Sequence, residues 1–196
     1  MSDIKSAREI AMEKVEKLGE LTEEERLRWK YVPQGEELGA KYLKGDCNLI
    51  AELGKYQENV KKYVAGGAAE VLIRNIYLPK DDAAKKSNKM AMDGLKVLKS
   101  NKAEAENIYS QIRYLFSHYA EQGEQQRKQA YESLKAEFEA KIQQAVQQQL
   151  GSSAGMKIDV ARQPQFQQEW RKTQAQLDSQ YLKLLSEYKQ GLSGIA

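Results

Sequence analysis

Residues 102–150 contain no proline and a single glycine, Gly123, and are dominated by Ala, Glu, Gln, Lys and Leu, with apolar residues at helical spacing. Straight-chain residues and alanine lose little conformational freedom in a helix, so this composition predicts helix throughout. Unbroken, the segment would extend roughly 70 Å at 1.5 Å per residue, longer than a compact domain of this chain length is wide. Ile108, Ile112, Leu115 and Tyr119, then Tyr131, Leu134, Phe138, Ile142 and Ala145, mark its apolar side.

A second long stripe follows. Pro164 suits the first turn of a helix, and Phe166, Trp170, Thr173, Leu177, Tyr181, Leu184 and Tyr188 recur at three- and four-residue steps up to Gly191. Gly151-Ser152-Ser153-Ala154-Gly155 is a flexible joint, and Met156 to Val160 is too short an alternation to establish a strand. The expectation is an antiparallel helical hairpin, coiled-coil-like, with its loop near 151–163.

The N-terminal part is more segmented. Ile4, Ala7, Ala11, Val15 and Leu18 describe one amphipathic helix, ended by Gly19. Thr22 and Glu25 match a capping box for a short helix stopped by Pro33. Gln34 to Lys44 forms a third, closed by Gly45 and followed by a new cap at Asp46 or Asn48. From Leu49 one helical phase runs through Val60, Ala68 and Leu72 to Leu78. Gly66-Gly67 interrupts it, costing about 2 kcal/mol against alanines, so the helix either breaks there or admits another backbone closely. Pro79 ends this element, and Asp81 or Asp82 caps the next, which carries Met90, Leu95 and Leu98. The fold class is therefore all-α. A segmented helical bundle over 1–123 is expected, followed by a long helical hairpin over 124–196.

Leu, Ile, Val and Phe supply only 40 of the 196 residues, while 31 basic side chains nearly balance 28 acidic ones. The core is thin but not so charged as to prevent folding. Cys47 is the sole cysteine, which excludes an internal disulfide and a thiolate metal cluster. No stretch approaches the roughly 20 apolar residues of a membrane span, and the first residues lack the unbroken apolar block of a secretion signal. These features suggest a cytoplasmic protein with no transmembrane segment.

No catalytic constellation assembles in the sequence. His118 is the only histidine and has Glu121 one turn away, a pair that falls short of the repeated carboxylate and histidine motifs of di-metal bundles. Cys47, beside Asp46 and Asn48, sits where a helix start would lower a thiol's pKa, but no second cysteine accompanies it. Phosphate-cradling glycine motifs are absent. Neither a metal site nor a cofactor is expected.

Two biases remain. The chain has eleven tyrosines against three phenylalanines, and most of its glutamines follow residue 120. Tyrosine suits half-wet seams between helices and between proteins; glutamine offers directional hydrogen bonds with little long-range field. The expected function is a non-catalytic scaffold, adaptor or self-assembling subunit, with a protein partner or homo-oligomer. Its interaction seam is Tyr131, Leu134, Phe138, Ile142, Phe166, Trp170, Leu177, Tyr181, Leu184 and Tyr188. The alternative is a polyanion-binding module for nucleic acid or an anionic membrane surface. Between residues 80 and 102 seven lysines face three aspartates, and Lys85, Lys86, Lys89, Lys96, Lys99 and Lys102 are the candidate anion ligands. That segment has neither arginine nor aromatic residues, so it lacks bidentate clamps and stacking platforms.

Overall fold

A computed structural model describes residues 22–150 and 159–195. Among these, six α-helices and no strand occur: α1 (Glu23–Lys44), α2 (Leu49–Leu53), α3 (Glu58–Arg74), α4 (Asp82–Leu98), α5 (Lys102–Leu150) and α6 (Pro164–Gly194), with a 3₁₀ turn over Val160–Arg162. The all-α class is thereby shown. The expected helix over Ile4 to Leu18 and the joint at 151–158 lie outside the described residues. The chain divides into two compact units. One comprises the described residues up to Ile76 with Lys89–Lys102, the other Tyr77–Asn88 with Ala103–Ile195. The division passes through α4, and residues 123 and 124 both lie within α5 and the second unit.

In the first unit, α1 opens with the expected capping box: the Glu25 amide donates to Thr22 Oγ1 at 3.2 Å and the Thr22 amide to Glu25 at 2.8 Å. It does not stop at Pro33. The proline lies inside one continuous 22-residue helix, correcting the expectation of two short ones. Packing against α3 outweighs the interior proline's penalty of about 3 kcal/mol. Past the proline, Gly35 and Gly39 are buried one turn apart. A side chain at Gly35 would overlap the Val64 carbonyl, and one at Gly67 the Val32 carbonyl; at Gly39 a Cβ would lie 2.9 Å from the Ala68 carbonyl. The helices thus cross backbone to backbone, a geometry that only glycine permits at these positions.

The glycine pair in α3 therefore marks a close approach rather than a break. The break falls earlier, at Gly54, where the short α2, capped by Asn48, ends with the Gly54 amide bonded to the Ile50 carbonyl at 3.0 Å. The four residues before α3 place Tyr56 against α1. Its hydroxyl donates to Gln34 at 3.2 Å, and its ring meets Tyr31 edge-on at 6.3 Å. Gly45 ends α1 in the left-handed region, φ 83°. Leu38, Leu49, Val64, Ala68, Leu72 and Leu95 are among the buried residues of this unit.

In the second unit, α5 runs unbroken for 49 residues, Gly123 included. Pro164 occupies the first turn of α6, which continues past Gly191 to Gly194. Contacts between the two helices descend one as they ascend the other. Ile108 meets Gly191, Tyr119 meets Asp178, and Tyr131 meets Phe166 and Trp170. The paired segments are therefore antiparallel. From within α4, Asn88 fixes the segment that precedes the helix by accepting from the Tyr77 amide at 2.8 Å and donating to its carbonyl at 2.7 Å.

Candidate functional site

Two features lie side by side between α5 and α6: a buried carboxylate and an open cleft. On α6, the four-residue step from Leu177 to Tyr181 carries Asp178 onto the buried edge of the stripe, where the residue is 4% exposed. A carboxylate so placed needs partners from elsewhere in the fold. Tyr119 of α5 donates its hydroxyl to Asp178 Oδ1 at 3.0 Å. Lys80, ahead of α4, pairs with Oδ2, and Arg127 Nη1 stands 4.0 Å from Oδ1. Arg127 also donates to the Tyr119 carbonyl at 3.3 Å and covers the Tyr119 ring at 4.2 Å. One acid thus faces two cations. Burial first, and then the Asp178 charge, push the Tyr119 phenol up to about 12, against the opposing effect of Arg127. Tyr119 therefore stays a neutral donor well above physiological pH.

Tyr181 joins this node to the cleft. Its ring meets Tyr119 edge-on at 5.0 Å, and its hydroxyl lies 3.0 Å from His118 Nδ1. Beyond it opens a cleft of about 490 Å³ lined by Tyr114, Leu115, His118 and Gln126 of α5 and by Gln176, Leu177, Gln180, Tyr181, Leu184 and Tyr188 of α6. Apart from the single imidazole, its lining has no charged or basic side chain. Tyr114 is 74% exposed and Leu184 41%, so an aromatic ring and an aliphatic side chain stand open to solvent at the cleft. Concave, mainly apolar surface with a few polar groups is the usual form of a binding site.

The expected seam falls into two parts. Tyr131 packs edge-on against Phe166 at 5.4 Å and Trp170 at 5.1 Å, and Phe138 against Phe166 at 5.4 Å. These rings serve contact between α5 and α6 themselves. Leu134 and Ile142 are half-buried on the same stretch of α5. Leu177, Tyr181, Leu184 and Tyr188 instead line the cleft. The spacing gave no notice of Tyr114 or Gln126 as lining, nor of Asp178 and its cations, whereas Gln176 and Gln180 belong to the glutamine-rich surface that follows residue 120. One signal was available: no basic residue stands three or four positions from Asp178 on α6, so its counter-charge had to come from another segment.

The lysine helix is less uniform than its spacing suggests. Lys85 pairs with Asp82 at 2.9 Å and Lys96 with Asp93 at 3.8 Å. Lys99 is buried, 8% exposed, and burial pushes its pKa down, so it does not extend an exposed row. Lys86, Lys89 and Lys102 are exposed. Cys47, in the first unit, contacts the Leu38 carbonyl at 3.8 Å. Burial and the nearby Glu52 push its thiol up, with Lys41 opposing, the reverse of an activated nucleophile. His118 is exposed, and Glu121, one turn on, accepts from Ser117 at 3.4 Å.

Among the described residues no three His, Cys, Asp or Glu side chains gather as metal ligands, and no helix is long and apolar enough to cross a membrane. No curated protein and no solved structure matches the chain. A family model, described as a family of unknown function (DUF6657), matches residues 50–194, a span that takes in α3 to α6, the buried carboxylate and the whole cleft. The chain belongs to this family.

Proposed function

We propose that the protein is a non-catalytic helical interaction unit, a scaffold, adaptor or self-assembling subunit, acting in the cytoplasm through the paired helices α5 and α6. The observation that carries this reading is the open cleft itself. Its tyrosine and leucine side chains are exposed in the single chain, its glutamines are neutral, and its lining lacks lysine, arginine, aspartate and glutamate. Tyrosine-rich, charge-poor surface of this kind characterises the centres of protein interfaces. The neighbouring Asp178 node holds α5 against α6 through side chains that are already engaged, so it supports the cleft rather than competing for its occupant. With the Cys47 thiol pushed up and His118 bonded to Tyr181, neither sequence candidate for catalysis has an activated partner at hand.

The competing class, a polyanion-binding module on the lysine helix, rests on Lys86, Lys89 and Lys102 once Lys85 and Lys96 are paired and Lys99 is buried. Salt separates the two. Association through a neutral cleft persists at moderate ionic strength, whereas phosphate contacts weaken steeply. Light scattering combined with immobilised-chain capture is expected to show self-association or a specific protein partner at both low and moderate salt. A strict monomer that captures nothing specific removes the proposal. Retention of RNA, DNA or anionic vesicles at low salt only favours the competing class.

A further inference from the structure

We propose that residues 4–18 of the chain, which precede the described residues, lay their apolar stripe into a second hollow, between α1 and α3 of the first unit. That hollow measures about 440 Å³. It lies beside the glycine crossing. A side chain at Gly67 would overlap the Val32 carbonyl, whereas among the described residues nothing stands within 4 Å of a Cβ at Gly66, which lines the hollow. Val32 and Tyr63, both half-buried, border it with Gly66. Around them stand three acids, Glu24, Glu25 and Glu70, against two cations, Arg28 and Lys62, an excess of one negative charge.

The place where the described residues begin selects the occupant. Thr22, the N-cap of α1, itself lines the hollow, and only Gly19, Glu20 and Leu21 separate it from Leu18. A connection that short reverses a helical chain readily. Wound as a helix, residues 4–18 extend about 21 Å, enough to run back along the roughly 15 Å of α1 between Thr22 and Val32. The tether holds the segment at an effective concentration of about the millimolar range, which a free competitor must match. Charge favours the same occupant. Arg8 stands four residues after Ile4 and three before Ala11, and Lys14 three after Ala11 and four before Leu18, so both share the side of the stripe. Glu9, Glu13 and Glu16, like Lys5 and Lys17, each stand two positions from a stripe residue and fall on the other side. The stripe's side thus carries two cations and no acid, which complements the acidic excess around the hollow.

Limited tryptic digestion and hydroxyl-radical footprinting of the full chain test this, using wild type, Gly66→Gln, Val15→Gln and Ile50→Gln. The first substitution puts a side chain into the hollow and the second removes an apolar contact from the stripe. Ile50, 66% exposed on α2 of the same unit, serves as the control. The expected result is slow cleavage after Arg8 and Lys14 in wild type at every protein concentration, about tenfold faster in Gly66→Gln and Val15→Gln and unchanged in Ile50→Gln. Modification of Tyr63 rises in Val15→Gln in parallel. Where the two variants disagree, or Gly66→Gln fails a circular-dichroism check of folding, the Tyr63 readout in Val15→Gln decides. Cleavage as fast in wild type as in both variants overturns the proposal. Faster cleavage of Val15→Gln with Tyr63 unmoved places the stripe elsewhere and overturns it too. Protection that appears only on concentration assigns the hollow to the segment of a second copy, and the proposal then fails as stated.

Discussion

The two units bring helices together by opposite means. In the first, α1 and α3 touch through Gly35, Gly39 and Gly67, with carbonyls where side chains would otherwise stand. In the second, α5 and α6 are held by tyrosine, phenylalanine and tryptophan rings about 5 Å apart and by a buried carboxylate shared among a phenol and two cations. A chain lean in leucine, isoleucine, valine and phenylalanine can thus close a core either by removing side chains or by using large amphipathic ones. The second solution leaves hydroxyls, amides and ring edges at the margin of the contact. That margin is where the cleft opens.

Alkaline pH is expected to produce the largest difference, because the second unit has two strongly shifted phenols. Tyr109 is pushed up to about 12 by burial, helped by Glu106, and Tyr119 to about 12 by burial and Asp178. A phenol raised in the folded state keeps its full contribution below the unfolded value near 10. It loses that contribution as pH rises towards 12, since the unfolded chain ionises first. For two rings the loss is on the order of 5 kcal/mol. Denaturant titrations at successive pH values, with phenolate absorbance, should show this loss and a late-ionising minority of tyrosines. Uniform ionisation near the ordinary value would contradict it.

Gly35→Ala tests the other unit. Its Cβ overlaps the Val64 carbonyl, and backbone cannot move aside as a flexible side chain can, so a loss of about 3 kcal/mol is expected by thermal or denaturant unfolding. Asp178→Ala should cost less, about 2 kcal/mol, because it strips Tyr119 of its acceptor while the partly exposed Lys80 regains water. Its local signature would be an earlier ionisation of Tyr119. The smallest change has the opposite sign. Nothing stands within 4 Å of a Cβ at Gly66, and Gly66→Ala is expected to stabilise by about 0.5–1 kcal/mol. Its neighbour Gly67, where a Cβ would overlap the Val32 carbonyl, should destabilise when changed to alanine, and these adjacent glycines answering with opposite signs would confirm that one is a contact and the other only a weak helix former.

The caps and the long helices were legible because they depend on neighbours in sequence. Thr22 with Glu25, Asn48, Gly45 and Pro164 each act within one turn of their own position. Pro33 and Gly54 were misjudged because their outcome depends on distant residues. Packing at Gly35 and Gly39 carries α1 through its proline, and Tyr56 reaching Gln34 and Tyr31 accompanies the break after Gly54. Of the candidate site, the α6 wall could be read from spacing, whereas Tyr114 looked like one more exposed helix residue. Asp178 needed Lys80 and Arg127, far away in sequence, before its burial had an explanation.

Hydroxyl-radical footprinting of the full chain over a concentration series addresses the central claim most directly, since it compares Tyr114 in the cleft with exposed Trp29 and buried Tyr119 in one sample. The account predicts that Tyr114 is modified readily in dilute solution and becomes protected on concentration or when a captured partner is added, while Trp29 stays reactive and Tyr119 stays protected throughout. Tyr114 remaining as reactive as Trp29 at every concentration, and with any captured partner present, would contradict the assignment of this cleft as a protein-binding surface.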